Sequence, residues 1–221
     1  MTLSERLKED ADHIWQKIYR HPFVEELFSG RLPESKFRFY ILQDYNYLIS
    51  SIRNFSLLAS RAPDAETMRE LVELAYIEST GEFQGYRELL QRMGLTVREA
   101  QTGEMLPAGV CYTSFLLSTS SLKSFQEGIT AVLPCYWSYL EIARFHRDRI
   151  EDINNDIYRE WGSYYLEKSY IRLVERLRKL VDGCGPDVHY HKLKRAFITS
   201  SRYEQMFWDE VYGSGETVSQ T

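Results

Sequence analysis

The sequence is poor in cysteine: Cys111, Cys135 and Cys184 are its three thiols in 221 residues. Three scattered thiols are too few for a disulfide framework, and an odd number fits a reducing compartment. No run of about eighteen apolar residues occurs, so no segment is expected to span a membrane. Residues 1–12 are charged and lack the apolar core of a signal peptide. A formal net charge of −5 supplies no general attraction to nucleic acid or acidic lipid. Strand alternation, hairpin dipeptides, a glycine-rich phosphate loop and internal repeats are all missing. These absences point to a cytoplasmic protein without a membrane or nucleic-acid partner.

What the sequence does have is helical periodicity. With 43% hydrophobic and 14% aromatic residues it can bury a large core. Leu7, Ala11, Ile14, Trp15 and Ile18 form the stripe of a first helix over residues 4–20, with Ser4 as a suitable cap. His21-Pro22 breaks it, and a short helix over 23–28 ends near Gly30. Pro33 opens a long helix to about Arg61. After the Pro63-Asp64 turn, another runs to Met93 and is closed by Gly94. A helical turn over 96–99, a loop over 103–109 and a helix over 111–117 follow, the last broken by the serine-rich stretch 118–121. A long helix over 121–149 contains Pro134, which is expected to kink it. Helices over 152–161, 165–181 and 187–212 complete the chain. The expected architecture is a compact all-α bundle in one domain, residues 1–212, with a flexible tail over 213–221.

Three stretches combine reactive and aromatic side chains. In Leu133-Pro134-Cys135-Tyr136-Trp137 a thiol follows a proline inside a helix. Free cysteine is also a common core residue, so packing explains it as well as chemistry does. In Gln43-Asp44-Tyr45-Asn46-Tyr47, Asp44 and Tyr47 share a helix face with aromatic neighbours. There Asp44 is either solvated or ion-paired at the edge of the stripe, or it accepts the amino hydrogens of a ligand. Near the end of the last helix, Glu204 stands beside Phe207 and Trp208. It is either a surface glutamate or an acid whose pKa is raised by apolar surroundings. Tyr112, Tyr164 and Tyr165 fall near helix starts, placed to stack on or hydrogen-bond a flat polar ligand or simply to fill the bundle.

Metal and haem signals are weak. Asp187, His189 and His191, with Cys184 nearby, are poorly spaced for chelation on a helix. There is no Glu-x-x-His motif for a di-iron bundle. His13 and His21 are the candidates for an axial haem ligand, or are edge residues.

Taken in order, His21-Pro22-Phe23-Val24, Gln43-Asp44 with Tyr47, Tyr112-Thr113-Ser114, Leu133-Pro134-Cys135-Tyr136-Trp137, Trp161 with Tyr165, and Ser200-Ser201-x-Tyr203-Glu204-x-x-Phe207-Trp208 resemble the TenA/thiaminase II family over nearly the whole chain. The resemblance implies a fold like that of haem oxygenase without the haem, a homotetramer, and no metal or organic cofactor. It implies hydrolysis of 4-amino-2-methylpyrimidines substituted at the ring-carbon-five methyl group, in thiamin salvage. It makes Cys135 the nucleophile and Glu204 the acid that protonates the ring. Asp44 then receives the exocyclic amine and ring nitrogen, Tyr47 and Phe207 flank the ring, and Tyr112 and Tyr165 hydrogen-bond within the site, with Tyr164 the alternative to Tyr165. One departure stands out: Tyr86 occupies a stretch where the family carries a histidine. The rival readings are a non-catalytic binder of a flat heteroaromatic ligand on the same bundle and a haem or quinone oxidoreductase.

Overall fold

The computed structural model describes residues 1–184 and 189–214. Its α-helices, in chain order, are α1 (Leu3–Tyr19), α2 (Pro22–Phe28), α3 (Glu34–Ser60), α4 (Ala65–Ile77), α5 (Phe83–Arg92), α6 (Val97–Thr102), α7 (Pro107–Leu122), α8 (Phe125–Phe145), α9 (Asp156–Tyr164), α10 (Lys168–Asp182) and α11 (Tyr190–Ser214). No strand occurs among the described residues. The chain is all-α, as its periodicity predicts, and it groups into two units. One holds Met1–Pro33 and Ile129–Asp209; the other holds Glu34–Gly128 and the stretch from Glu210 on.

In the first unit, α1 buries the expected stripe. Its cap is Thr2 rather than Ser4. Thr2 and Glu5 satisfy each other's backbone N–H groups in a capping box. Ser4 instead donates to the Asp182 carboxylate at the end of α10, through its backbone N–H (2.7 Å) and its Oγ (3.1 Å). Trp15 is fully buried, stacks on Phe197 of α11 and meets Trp137 of α8 edge-on. Its indole N–H donates to Ser201 Oγ at 2.9 Å. Burying one such ring is worth about 2–3 kcal/mol, so Trp15 pins α1 to α11. His21 Nδ1 caps α2 by accepting from the Phe23 N–H, and Gly30 leaves that helix at φ 69°, a geometry open to glycine.

α8 continues through Pro134. Proline has no N–H to offer the Thr130 carbonyl, and Thr130 Oγ1 is buried without a partner among the described residues. The helix starts at Phe125, later than the sequence suggests. Ser124 and Glu127 form its capping box after Lys123 turns extended. It ends at Phe145, and a 3-10 turn, Arg147–Asp152, follows. Tyr165 closes α9 instead of opening α10, which begins at Lys168. Gly185 to Val188, including the expected start of the last helix, lie outside the described residues, as does the tail from residue 215. α11 itself runs past Tyr212 to Ser214.

In the second unit, α3 is the element on which α4, α5, α6 and α7 pack. The expected continuous helix from 64 to 93 is interrupted by a π turn, Glu78–Glu82, between α4 and α5. The wider turn carries Glu78 inward, where it is buried and accepts a hydrogen bond from Ser51 Oγ of α3 at 3.1 Å. Gly94 ends α5 with φ 66°. The serines expected to break α7 do not. Ser118 Oγ bonds back to the Phe115 carbonyl at 3.1 Å, which lets the helix run on to Leu122. The turn after Thr96 is longer than expected, because a second capping box, Thr96 with Glu99, starts α6.

Candidate functional site

The first unit brings Cys135 and Glu204 onto facing rows of two helices. Ser200 Oγ donates to the Ala131 carbonyl at 2.6 Å, a pair 69 residues apart in sequence. Tyr139 and Trp208, separated in sequence by the same amount, meet with ring centroids 5.5 Å apart. Ala131, Cys135 and Tyr139 are successive turns of α8. Ser200, Glu204 and Trp208 are successive turns of α11. Both outer members touch in order, so α8 and α11 run in the same direction and Cys135 and Glu204 are the matched middle members.

Cys135 is half-buried and in no disulfide, while Glu204 is 2% exposed. A carboxyl group so buried meets its partners directly rather than through solvent, the placement a general acid needs. Tyr165 is buried one turn beyond the thiol. Its ring lies 5.0 Å from Tyr139, 4.8 Å from Trp161 and 4.9 Å from Tyr170, measured between centroids. Tyr170 in turn donates its hydroxyl to the carbonyl of Tyr136, the residue after Cys135, at 3.0 Å. Tyr164 is less buried and meets Tyr165 and Tyr170 edge-on. Phe207 is 7% exposed and lies against Trp208. Sequence reasoning gave no role to Tyr139 or Tyr170. Tyr139 is one turn from Cys135, which is a usable signal; Tyr170 has none, because its tie to Tyr136 spans 34 residues.

The second unit holds the other group, centred on Asp44. Tyr86 of α5 and Tyr40 of α3 both donate their hydroxyls to Asp44 Oδ2, Tyr40 at 3.4 Å. Burial pushes the Asp44 carboxyl up to about 6, against the two phenols, which pull it down. Tyr47 and Tyr112 are buried with ring centroids 5.4 Å apart. Gln43 sets the start of the helix that carries Tyr112. Its amide donates to the Glu104 carbonyl at 3.0 Å and accepts from the Leu106 N–H at 2.8 Å. Glu210 accepts from the Ala108 N–H at 2.8 Å, satisfying a donor in the first turn of α7. Of the sequence-predicted residues, Asp44, Tyr47 and Tyr112 therefore belong to one unit, and Cys135, Tyr165, Glu204 and Phe207 to the other.

The histidines are occupied elsewhere. His21 uses Nδ1 to cap α2 and Nε2 to meet Asp209 at 3.2 Å, and burial lowers its pKa. His13 is exposed. The His189 and His191 rings lie 5.6 Å apart, while Asp187 is outside the described residues. Among the described residues no group of three or more side chains could hold a metal ion. No helix among them is long and apolar enough to cross a membrane.

Among the described residues the chain is all-α, with a half-buried thiol and a buried glutamate on two helices of one unit and a buried aspartate under phenolic donors in the other. The family model described as TENA/THI-4/PQQC matches residues 8–214, and the chain belongs to that family. It is 33% identical over 215 residues to an aminopyrimidine aminohydrolase of Halalkalibacterium halodurans, covering 96% of each chain. A solved TenA homologue from P. horikoshii OT3 superposes with a TM-score of 0.93 at 43% identity, over 96% of this chain and 99% of that one. A domain of unknown function from Shewanella denitrificans OS217 with a haem-oxygenase-like fold superposes at a TM-score of 0.79 with 14% identity, over 98% and 94%. The haem-oxygenase-like, TenA-type architecture expected from the resemblance is the one the chain has.

Proposed function

We propose that the chain is an aminopyrimidine aminohydrolase of the thiaminase II type, a hydrolase of thiamin salvage. The observation that carries the reading is the matched level of Cys135 and Glu204 on parallel helices, in a chain 33% identical to a named aminopyrimidine aminohydrolase. The substrate is a 4-amino-2-methylpyrimidine bearing a leaving group on the carbon-five methyl: the amine of the aminomethyl compound or the thiazolium of thiamin.

The Cys135 thiol gives up its proton, to the departing amine of the aminomethyl compound or to water in the case of thiamin, and its sulfur bonds to ring carbon six as Glu204 donates its own proton to a ring nitrogen, which removes the ring's aromaticity. The electron pair returns through the ring and expels the leaving group. Water adds to the exocyclic carbon, the ring N–H proton passes back to Glu204, and the carbon–sulfur bond breaks as the proton released by that water restores the Cys135 thiol. The products are the hydroxymethylpyrimidine and the free amine or thiazole. Asp44 accepts from the exocyclic amine, Tyr47 and Phe207 flank the ring, and Tyr112 and Tyr165 supply hydrogen bonds within the site. The assembly in this reading is a homotetramer, and three free thiols are at home in the cytoplasm.

The test is incubation of pure protein with 4-amino-5-aminomethyl-2-methylpyrimidine and, separately, with thiamin, following the hydroxymethyl product by chromatography. Wild type forms product and Cys135→Ala does not. Saturable binding with no product from either compound would replace the enzyme with a binder. Light scattering of the same sample measures the assembly.

A further inference from the structure

Asp44 receives its two protein donors on one side. Tyr40, one turn earlier on α3, and Tyr86, reaching across from α5, both donate to Oδ2. Among the described residues no donor addresses Oδ1. A carboxylate oxygen has about two lone-pair directions, so two phenols fill Oδ2. The helix before Tyr86 is broken by the π turn at Glu78–Glu82. α5 therefore departs from the register that α4 would have imposed, and Tyr86 reaches a residue 42 positions away in sequence.

We infer that Tyr86 is a positioning residue: together with Tyr40 it commits Asp44 Oδ2 and leaves Oδ1 as the single acceptor for one N–H of the substrate amine. This rests on the assignment of Asp44 to the aminopyrimidine. It narrows that assignment, since with Oδ2 filled the carboxylate meets one ligand atom, not amine and ring nitrogen together. It also gives the departure at position 86 a purpose. A phenol stays neutral and keeps its donor throughout the pH range in which Asp44 titrates, whereas an imidazole would change charge in the same range.

Burial is the first cause of the Asp44 shift and the two phenols are the others, with no charged neighbour among the causes. From the elements packed on α3, the titratable side chains turned inward are Tyr112 of α7 and Glu78 of the π turn, and Glu78 is engaged by Ser51. Arg87 of α5, Arg98 of α6 and Glu73 of α4 are exposed. Removing the Tyr86 hydroxyl therefore takes away a specific brake on protonation that no neighbouring charge replaces.

The experiment has two arms. Carbon-13 NMR of the Asp44 carboxyl follows its titration in ligand-free wild type, Tyr86→Phe and Tyr40→Phe. Calorimetry measures the Kd of 4-amino-5-hydroxymethyl-2-methylpyrimidine against pH in the same proteins. Wild type should titrate near 6. Tyr86→Phe should titrate about one pH unit higher and, with about half rather than about nine-tenths of Asp44 ionised at about pH 7, bind about twofold more weakly there. Its kcat/KM should fall through KM while kcat stays within about threefold. A merely structural role would lower stability without moving the Asp44 midpoint. An unmoved midpoint and unchanged Kd in Tyr86→Phe overturn the inference. A shifted midpoint in a protein whose wild type does not bind the pyrimidine overturns the ligand assignment of Asp44 and sustains the hold of Tyr86 upon it. Tyr40→Phe separates the two donors and remains informative should Tyr86→Phe fail to fold.

Discussion

Ser200 donates its hydroxyl to the Ala131 carbonyl at 2.6 Å, one turn before Glu204 on one helix and one turn before Cys135 on the other. Both residues are buried, so the bond acts as a register pin for the pair beyond it. Ser200→Ala removes the donor and leaves the Ala131 carbonyl with its own helix bond only. A buried hydrogen bond is worth about 1 kcal/mol, which lowers Tm by about 2–4 °C in a chain of this size. If the bond sets the level of Glu204 against Cys135, kcat falls by about tenfold or more, because small misplacements of reacting groups are costly. Calorimetry and single-turnover kinetics on the same sample check both. Loss of stability with full kcat would reduce Ser200 to a packing residue.

Cys135→Ala tests the nucleophile directly. The side chain is half-buried in α8, and replacing a thiol with a methyl group there leaves helix and packing in place. Turnover of the aminomethylpyrimidine is expected to vanish while circular dichroism and Tm stay near wild type. Glu204→Gln keeps the shape and removes the transferable proton, so kcat is expected to drop by about 10²–10⁴. Full activity in Cys135→Ala would end the covalent mechanism.

Asp44 links function to stability with a definite sign. Its carboxyl sits at about 6 in the folded chain against an ordinary value of 3.8. The folded state therefore binds more protons than the unfolded state between those pH values, and stability falls as pH rises through that window. Above about pH 6 the full cost of keeping a buried carboxylate ionised is present, of order 3 kcal/mol at most. Asp44→Asn removes it. The variant should melt several degrees above wild type at pH 8 and lose that advantage at pH 4, while its affinity for the aminopyrimidine falls. Thermal melts across pH 4–8 are the measurement. A variant less stable than wild type at pH 8 would show that Tyr40 and Tyr86 depend on the charge they bind.

Much of this arrangement is legible in the residue order. The α1 stripe is buried where its period places it, and Gly30 and Gly94 end helices with positive φ. Thr2-x-x-Glu5 carries a capping-box signature that competes with Ser4, and the box wins because it satisfies two backbone groups. The π turn leaves no trace, since one extra residue in a turn alters neither composition nor period appreciably. The serines of α7 mislead because a hydroxyl bonded back to its own helix ends nothing. The types of the candidate residues are visible, but the parallel register of α8 and α11 and the reach of Tyr86 to Asp44 are not. Both are tertiary contacts between residues distant in sequence, and no local pattern encodes them.

Gly128 marks a place where backbone approach, not a side chain, sets the fold around α3. A Cβ there would lie 2.7 Å from Leu58 Cδ2, 3.2 Å from Ser120 Cα and 3.2 Å from Ser120 Oγ. The leucine methyl can swing aside, but the Ser120 backbone moves only if α7 shifts against the start of α8. Overpacking of this kind costs about 1–3 kcal/mol, equivalent to a fall in Tm of about 2–12 °C. Gly128 belongs to the unit that carries Asp44, Tyr47 and Tyr112, and α7 bears Tyr112. Gly128→Ala should therefore weaken aminopyrimidine binding more than it slows the chemical step. Measuring KM and kcat separately in this variant decides the matter: a fall confined to kcat would mean that the strain is relieved away from α7.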